Sequence, residues 1–445
     1  MRSGLEQQLR EAVREGRLAP GTRLPSSRTL AVDLGIARNT VADAYGQLIA
    51  EGWLVARHGA GTWVADRPDG ISDDASDDAP LPPEARFDLR PGVPDLGAFP
   101  RSAWVAAMRR ALTVAPDDAL GYGDPRGLRS LREALAGYLR RARRVAASPE
   151  RIVVCAGFAQ GLELICAVLR RRGATTVAVE SFGHRLHRDI IKASGLSVAS
   201  LPVDDRGAIV DRLGDLAGTE SGAAALLTPA HQFPIGVALD PARRRQAVTW
   251  AADTGAIVLE DDYDGEFRYD RQAVGAMQSL APGQVVYAGT AAKSLAPGLR
   301  LGWLVLPAPL VDEVVEVKRI SGAFPSALDQ LTAAELITSG HFDRHVRRAR
   351  LAYRRRRDRL VGVLSRHAVE VSGIAAGLHV LVHLRDLDER EVVVRAAEHG
   401  LALQGLRDFT EPGYERGPAL VIGYATPPEH AYTSALARLT IALST

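Results

Sequence analysis

Between residues 152 and 306, short apolar runs alternate with stretches of helical spacing, and few folds accept that rhythm. The runs at 152–156, 176–180, 224–228, 256–261, 285–289 and 302–306 are β-branched or aliphatic and bounded by Gly, Pro or charge, which predicts strands. Residues 159–172 and 241–254 between them have the spacing of helices. Alternation of this kind predicts an α/β fold, a mostly parallel sheet with helices on both faces. Ligands of such sheets bind at the carboxyl ends of the strands, and those ends carry Gly157, Asp261 and Thr290.

The rest of the chain reads as a second unit and a link to it. Residues 66–86 hold six Asp, one Glu and two Arg and almost no large apolar side chain, a solvated linker. This predicts three parts: a small unit over 1–65, the acidic linker over 66–86 and the large domain over 87–445. The net charge of +2 leaves room only for a local nucleic-acid surface. Cys155 and Cys166 fall in apolar sequence and read as buried, reduced thiols; no metal cluster is indicated. With a polar start that does not resemble a signal peptide and no run able to span a bilayer, a cytoplasmic location is expected.

In the small unit, Leu5, Leu9, Ala12 and Val13 mark one amphipathic helix. Ser26 is a natural N-cap for a short helix that Gly35 closes, and a further helix begins near Arg38 with Val41, Tyr45, Leu48 and Ile49 on one stripe. Two helices so joined form a helix-turn-helix, whose second helix would present Arg38, Asn39 and Thr40 to base edges. Arg28 lies on the preceding helix. Residues 53–64 read as a hairpin whose tip carries Arg57 and His58, placed as a wing near phosphates would be. A three-helix bundle with a hairpin and no nucleic-acid role fits the same pattern.

The large domain holds a chemical oddity. Of 55 basic residues only Lys192, Lys293 and Lys318 are lysine, yet a lysine sits seven residues before Arg300 in a Gly-rich, strand-following segment. Arginine cannot serve as a nucleophilic amine; a desolvated lysine can. Asp261 ends an apolar strand and can keep a pyridine nitrogen protonated, and Tyr263 can reach a ring oxygen. Arg300, the Thr290 hydroxyl and the helix-opening amides of Phe158 and Ala159 suit a phosphate. Each piece alone has a structural explanation as a cap or a surface ion pair. The arginines at 344–359 read as a solvated helix face.

RLPSSRTLAVDLGIARNTVADAYGQLIAEGWLVARHGAGTWV, residues 23–64, closely resembles the winged helix-turn-helix of GntR-type bacterial regulators. The stretches YGDPRG (122–127), TPAHQFPIG (228–236), EDDYDGEFRY (260–269) and residues 289–302 resemble fold-type-I aminotransferases, most closely the MocR subfamily of those regulators. The resemblance implies pyridoxal 5'-phosphate held by Lys293 as an aldimine, with Asp261 on the ring nitrogen and Tyr263 on the ring hydroxyl. It implies Thr290, Arg300, Phe158 and Ala159 at the phosphate, and Tyr122 reaching the partner's phosphate in a homodimer. His184 stands where a ring-stacking tyrosine is usual, and residues 418–424 lack the arginine that grips a substrate carboxylate. The expected function is a regulator that binds double-stranded operator DNA and senses pyridoxal phosphate or an amine or amino-acid effector. The alternative is a working aminotransferase with an accessory DNA-binding domain.

Overall fold

A computed structural model of the protein describes residues 2–57, 61–65, 86–217, 223–269 and 274–444. The chain divides into two compact units, Met1–Pro83 and Glu84–Thr445. The acidic stretch 66–85 and His58 lie outside the described residues.

The first unit contains helices α1 (Arg2–Arg14), α2 (Ser27–Leu34) and α3 (Arg38–Ala50) and strands β1 (Leu54–Arg57) and β2 (Gly61–Val64). The Ser26 hydroxyl accepts the Thr29 N–H at 3.1 Å and opens α2. Gly35 closes it in the left-handed region at φ 63°, where a side chain is disfavoured. That tight exit lets α3 start three residues later. Val41, Ala44, Tyr45 and Leu48 of α3 are buried against Leu5, Ala31 and Leu54, so one face of α3 forms the core and the opposite face is left to solvent. Strands β1 and β2 pair antiparallel from Leu54↔Val64 to Arg57↔Gly61.

The second unit is built on a seven-stranded sheet. Its strands are β3 (Ile152–Cys155), β4 (Thr176–Glu180), β5 (Ser197–Leu201), β6 (Ala224–Leu227), β7 (Ile257–Asp262), β8 (Val285–Thr290) and β9 (Gly302–Val305). The spatial order is β3-β9-β8-β7-β6-β4-β5. Every residue of β3, β6, β7, β8 and β9 is buried, which explains the unbroken apolar runs: helices cover both faces. Strand β5 was not foreseen from the sequence. It is an edge strand with half-exposed residues, and SVASL has no apolar run to betray it. Strand β9 runs antiparallel to both neighbours, pairing Gly302 with Thr290 and with Cys155. Its amino end therefore lies where its neighbours have their carboxyl ends.

A three-stranded antiparallel sheet follows, with β10 (Val369–Ser372), β11 (His379–Leu384) and β12 (Ala419–Gly423). The helix His341–Leu364 packs Tyr353, Leu360 and Leu364 into the same core. Of its arginines, Arg347, Arg348, Arg354 and Arg355 are exposed, as a solvated face requires. Arg356 departs from that reading: it is 3% exposed and pairs with Asp95 at 2.9 Å and Glu429 at 3.0 Å. Both cysteines are buried and free. No helix among the described residues is long and apolar enough to cross a membrane.

Candidate functional site

The carboxyl edge of the large sheet borders a cavity of about 250 Å³. Asp261 and Thr290 reach it from strand ends, Phe158 and Ala159 from the first turn of a helix, and Tyr263, His184, Lys293 and Arg300 from the loops beside them. Tyr122 stands apart from this cavity and is 99% exposed.

Successive residues of a strand face opposite sides, and that alternation separates two adjacent acids on β7. Asp261 turns into the cavity. Asp262 turns to the other face, where Arg143 grips it with two hydrogen bonds of 2.7 and 2.8 Å and the Tyr287 hydroxyl donates at 2.7 Å. The Asp261 carboxyl is held well above its ordinary range by burial and by the neighbouring Asp262, while Lys293 opposes the shift. An acid so placed ionises fully only beside a cation, which a protonated ring nitrogen would be. Burial lowers the Lys293 ammonium from its usual range, against the pull of Asp261 and Asp264, and Nζ donates to the Gly92 carbonyl at 2.5 Å. A desolvated amine of this kind is the nucleophilic form.

The opposite end of the cavity is cationic. Gly157, at φ 87°, caps the helix Phe158–Arg171, and no side chain caps the first N–H groups of that helix. The Arg300 guanidinium lies over Gly157, 3.6 Å from where a Cβ would stand. A Cβ at Gly302 would come within 3.0 Å of the Gly157 backbone, so only glycine lets β9 approach this turn. The Thr290 hydroxyl accepts the Ala292 N–H at 3.1 Å, which shapes the turn leading to Lys293.

Sequence reasoning missed the groups behind Tyr263. The Tyr263 hydroxyl lies 3.1 Å from His231 Nδ1, and that nitrogen lies 2.8 Å from Asp264. His379 stands near them and donates to the Pro234 carbonyl at 3.2 Å. Burial, then Asp264 and Asp261, hold the Tyr263 phenol well above its usual range, so it remains a donor. His231 and Asp264 lie in loops that follow two strands and His379 opens a third strand, and nothing in those separate stretches signals that they meet. His184 stacks its ring on Phe233, with centroids 4.2 Å apart. Burial, with Lys293 nearby, lowers its pKa to about 4, so the ring is neutral.

Glu180 is a second acid of the cavity wall. Its carboxylate accepts the Thr228 hydroxyl at 2.5 Å and the Thr228 N–H at 3.2 Å, and burial pushes it up to about 7. The folded value lies above the ordinary 4.5, so the folded state binds the proton more tightly than the unfolded chain. That contribution to stability is complete below pH 4.5 and is lost as pH rises through 7. Glu180→Gln keeps an acceptor and has no proton to lose. Its stability relative to wild type is expected to rise by about 1.4 kcal/mol per pH unit between pH 5 and 7. Urea unfolding at both pH values checks this; parallel behaviour of the two proteins would contradict it.

In the first unit, Arg38 and Asn39 are exposed and Thr40 half-buried at the start of α3, and Arg28 is exposed on α2. No side chain caps α3, so its first N–H groups remain available to an anion. Arg57 lies over the Trp63 ring at 4.9 Å, and Arg23 approaches the same ring at 5.8 Å.

Residues 88–439 match the family model "Aminotransferase class I and II", and residues 2–64 match "Bacterial regulatory proteins, gntR family". The chain is 32% identical to the probable rhizopine catabolism regulatory protein MocR of Rhizobium meliloti, over 96% of this chain and 90% of that one. It is 32% identical to the pyridoxine biosynthesis transcriptional regulator PdxR of Corynebacterium glutamicum, over 99% and 95%. The HTH-type transcriptional regulator TauR of Rhodobacter capsulatus is 30% identical, over 99% and 96%. Among solved structures, the kynurenine aminotransferase of Pyrococcus horikoshii superposes with a TM-score of 0.71 at 24% identity, covering 80% of this chain and 90% of that one. LysN, the alpha-aminoadipate aminotransferase of Thermus thermophilus, gives a TM-score of 0.71 at 23% identity, over 80% and 92%.

Proposed function

The chain belongs to the MocR group of gntR-type transcriptional regulators, which join a helix-turn-helix unit to an aminotransferase class I and II domain, and from that premise we propose that it binds operator DNA through residues 1–65 and holds pyridoxal phosphate in the cavity around Lys293. The observation that carries the second half is a single cavity with an acid at one end, a desolvated amine at its side and a cation over a helix opening at the other. That is the donor set the cofactor needs: a partner for its ring nitrogen, a partner for its aldehyde and a seat for its phosphate.

When bound, pyridoxal phosphate supplies an aldehyde that captures primary amines and a ring that draws electrons from the captured nitrogen. The chain's residues position it. Arg300, the Thr290 hydroxyl and the Phe158 and Ala159 amides hold the phosphate. Asp261 holds a proton on the ring nitrogen, and Tyr263 donates to the ring oxygen with His231 and Asp264 fixing its hydroxyl. The neutral His184 ring covers one face. The family resemblance sets Tyr122 against the phosphate of a second copy in a homodimer, and its full exposure leaves it free for that role. The acidic segment 66–86 links each reader to its domain over 87–445. Occupancy of the pocket biases how the two readers are presented, in proportion to the ligand's preference for one arrangement.

Arg38, Asn39 and Thr40 read base edges, while Arg28, Arg57 and His58 contact phosphates. Arg38→Ala is expected to weaken binding to the intergenic region beside the protein's own gene by roughly 10- to 100-fold. Unspecific DNA should be affected far less. Electrophoretic retention with specific and scrambled duplexes checks this. Equal retention of both duplexes by the wild type would refute operator recognition.

A further inference from the structure

We infer that the pocket admits a primary amine with an apolar body and no carboxylate, an inference that rests on the reading of Lys293 as the cofactor site. The argument starts from the cations that face the cavity. Among the described lining residues these are Lys293, Arg300 and Arg188. Arg300 lies over the Gly157 turn, at the phosphate end. Arg188 is 3% exposed and already engaged: it pairs with Glu411 at 3.1 Å and donates to the Glu180 carbonyl.

Strand β12 contributes nothing positive. All five of its residues are buried, and Val421 faces core at 0% exposure. The two arginines nearest to it in sequence lie elsewhere. Arg416 pairs with Asp205 at 2.5 Å, and Arg407 borders a separate surface recess with Glu411 and Glu415. Neither lines the Lys293 cavity.

Besides the neutral polar groups His184, His187, Thr228, Tyr263 and Thr290, the rest of the wall is apolar or acidic. Val179, Phe182, Leu186, Leu226 and Phe233 supply hydrocarbon and aromatic surface. Glu180 and Asp261 supply carboxyl groups. A ligand carboxylate entering here loses its water, finds no uncommitted guanidinium among the described lining residues and meets the Glu180 carboxyl, so the site selects against it. An apolar body loses nothing by the same move. Capture of the amine exchanges one C–N bond for another at the aldehyde carbon. The ligand nitrogen gives up two hydrogens, Lys293 Nζ takes up two and leaves as a free amine, and no oxidant or reductant is needed.

The test uses matched pairs that differ only by the carboxylate: isoamylamine against leucine, and phenethylamine against phenylalanine. Full-length protein loaded with pyridoxal phosphate is titrated with each, the visible spectrum is followed, and each ratio is normalised to that for free pyridoxal phosphate. The amines are expected to perturb the spectrum at concentrations at least roughly 10-fold lower than their amino acids. Leu186→Arg places a guanidinium on the wall at a position 58% exposed, where its charge need not be buried. It is expected to narrow the ratio by at least about 5-fold. A wild-type preference for the amino acids, or no preference, overturns the inference and leaves the cofactor site standing. A protein that acquires no visible band with pyridoxal phosphate overturns the site and the inference together.

Discussion

Lys293→Ala protein, purified beside the wild type and given pyridoxal phosphate, is expected to show no protein-bound aldehyde–amine absorption band. Nζ is the desolvated amine of the cavity, and an alanine methyl cannot form the bond. The phosphate seat of Arg300, Thr290 and the helix opening is untouched by the change, so weak retention of the cofactor persists. Retention should fall by on the order of 100-fold, the difference between covalent capture and a non-covalent clamp alone. The variant should fold. Its lost hydrogen bond to the Gly92 carbonyl is offset by removal of a buried amine, so stability without cofactor should change by about 1 kcal/mol or less. Gel filtration followed by spectroscopy and a thermal scan reads all three quantities. A variant that keeps the band would place the amine elsewhere.

Arg143→Ala is expected to be the most destabilising single change near the site. Arg143 and Asp262 are 3% and 2% exposed as side chains, and the guanidinium also donates to the Gly265 carbonyl at 2.7 Å. Removing it leaves the Asp262 carboxylate buried with Glu260 and Glu266 close by, and burial has already pushed both of those glutamates up to about 7. Breaking a buried pair from one side costs about 3–5 kcal/mol, because the remaining charge is neither solvated nor paired. For a domain of this size the unfolding midpoint should fall by roughly 5–10 °C. Arg129→Ala is the control. Its pair with Glu133 is 76% and 52% exposed, and its loss should cost at most about 0.5 kcal/mol. Similar midpoints for the two variants would show that the buried pair adds no more to stability than the exposed one.

Sequence and structure agree where local chemistry dictates the outcome. Ser26 and Gly35 bound a helix because a hydroxyl satisfies its first amides and only glycine accepts its exit. The buried strands were legible because a strand covered on both faces must be apolar throughout. β5 was not, since an edge strand half open to water need not be. The two adjacent acids of β7 could not be told apart by type; strand pleat and the position of Arg143 assign one to the cavity and one to the core.

By itself the sequence determined the class of fold, a winged reader before an α/β domain, and the residue types able to hold a phosphorylated aldehyde. Those are consequences of periodicity, capping and side-chain chemistry, which act over a few residues. Tertiary structure decided which of them meet. Arg300 reaches the Gly157 turn because β9 runs against its neighbours, so the start of one strand joins the ends of the others. His231, Asp264 and His379 converge behind Tyr263 from three distant stretches. That Arg188, Arg407 and Arg416 are spent on Glu411, a separate recess and Asp205 was equally invisible in the sequence. A charge is available to a ligand only if no nearer partner has claimed it, and the folded chain alone sets which partners are near.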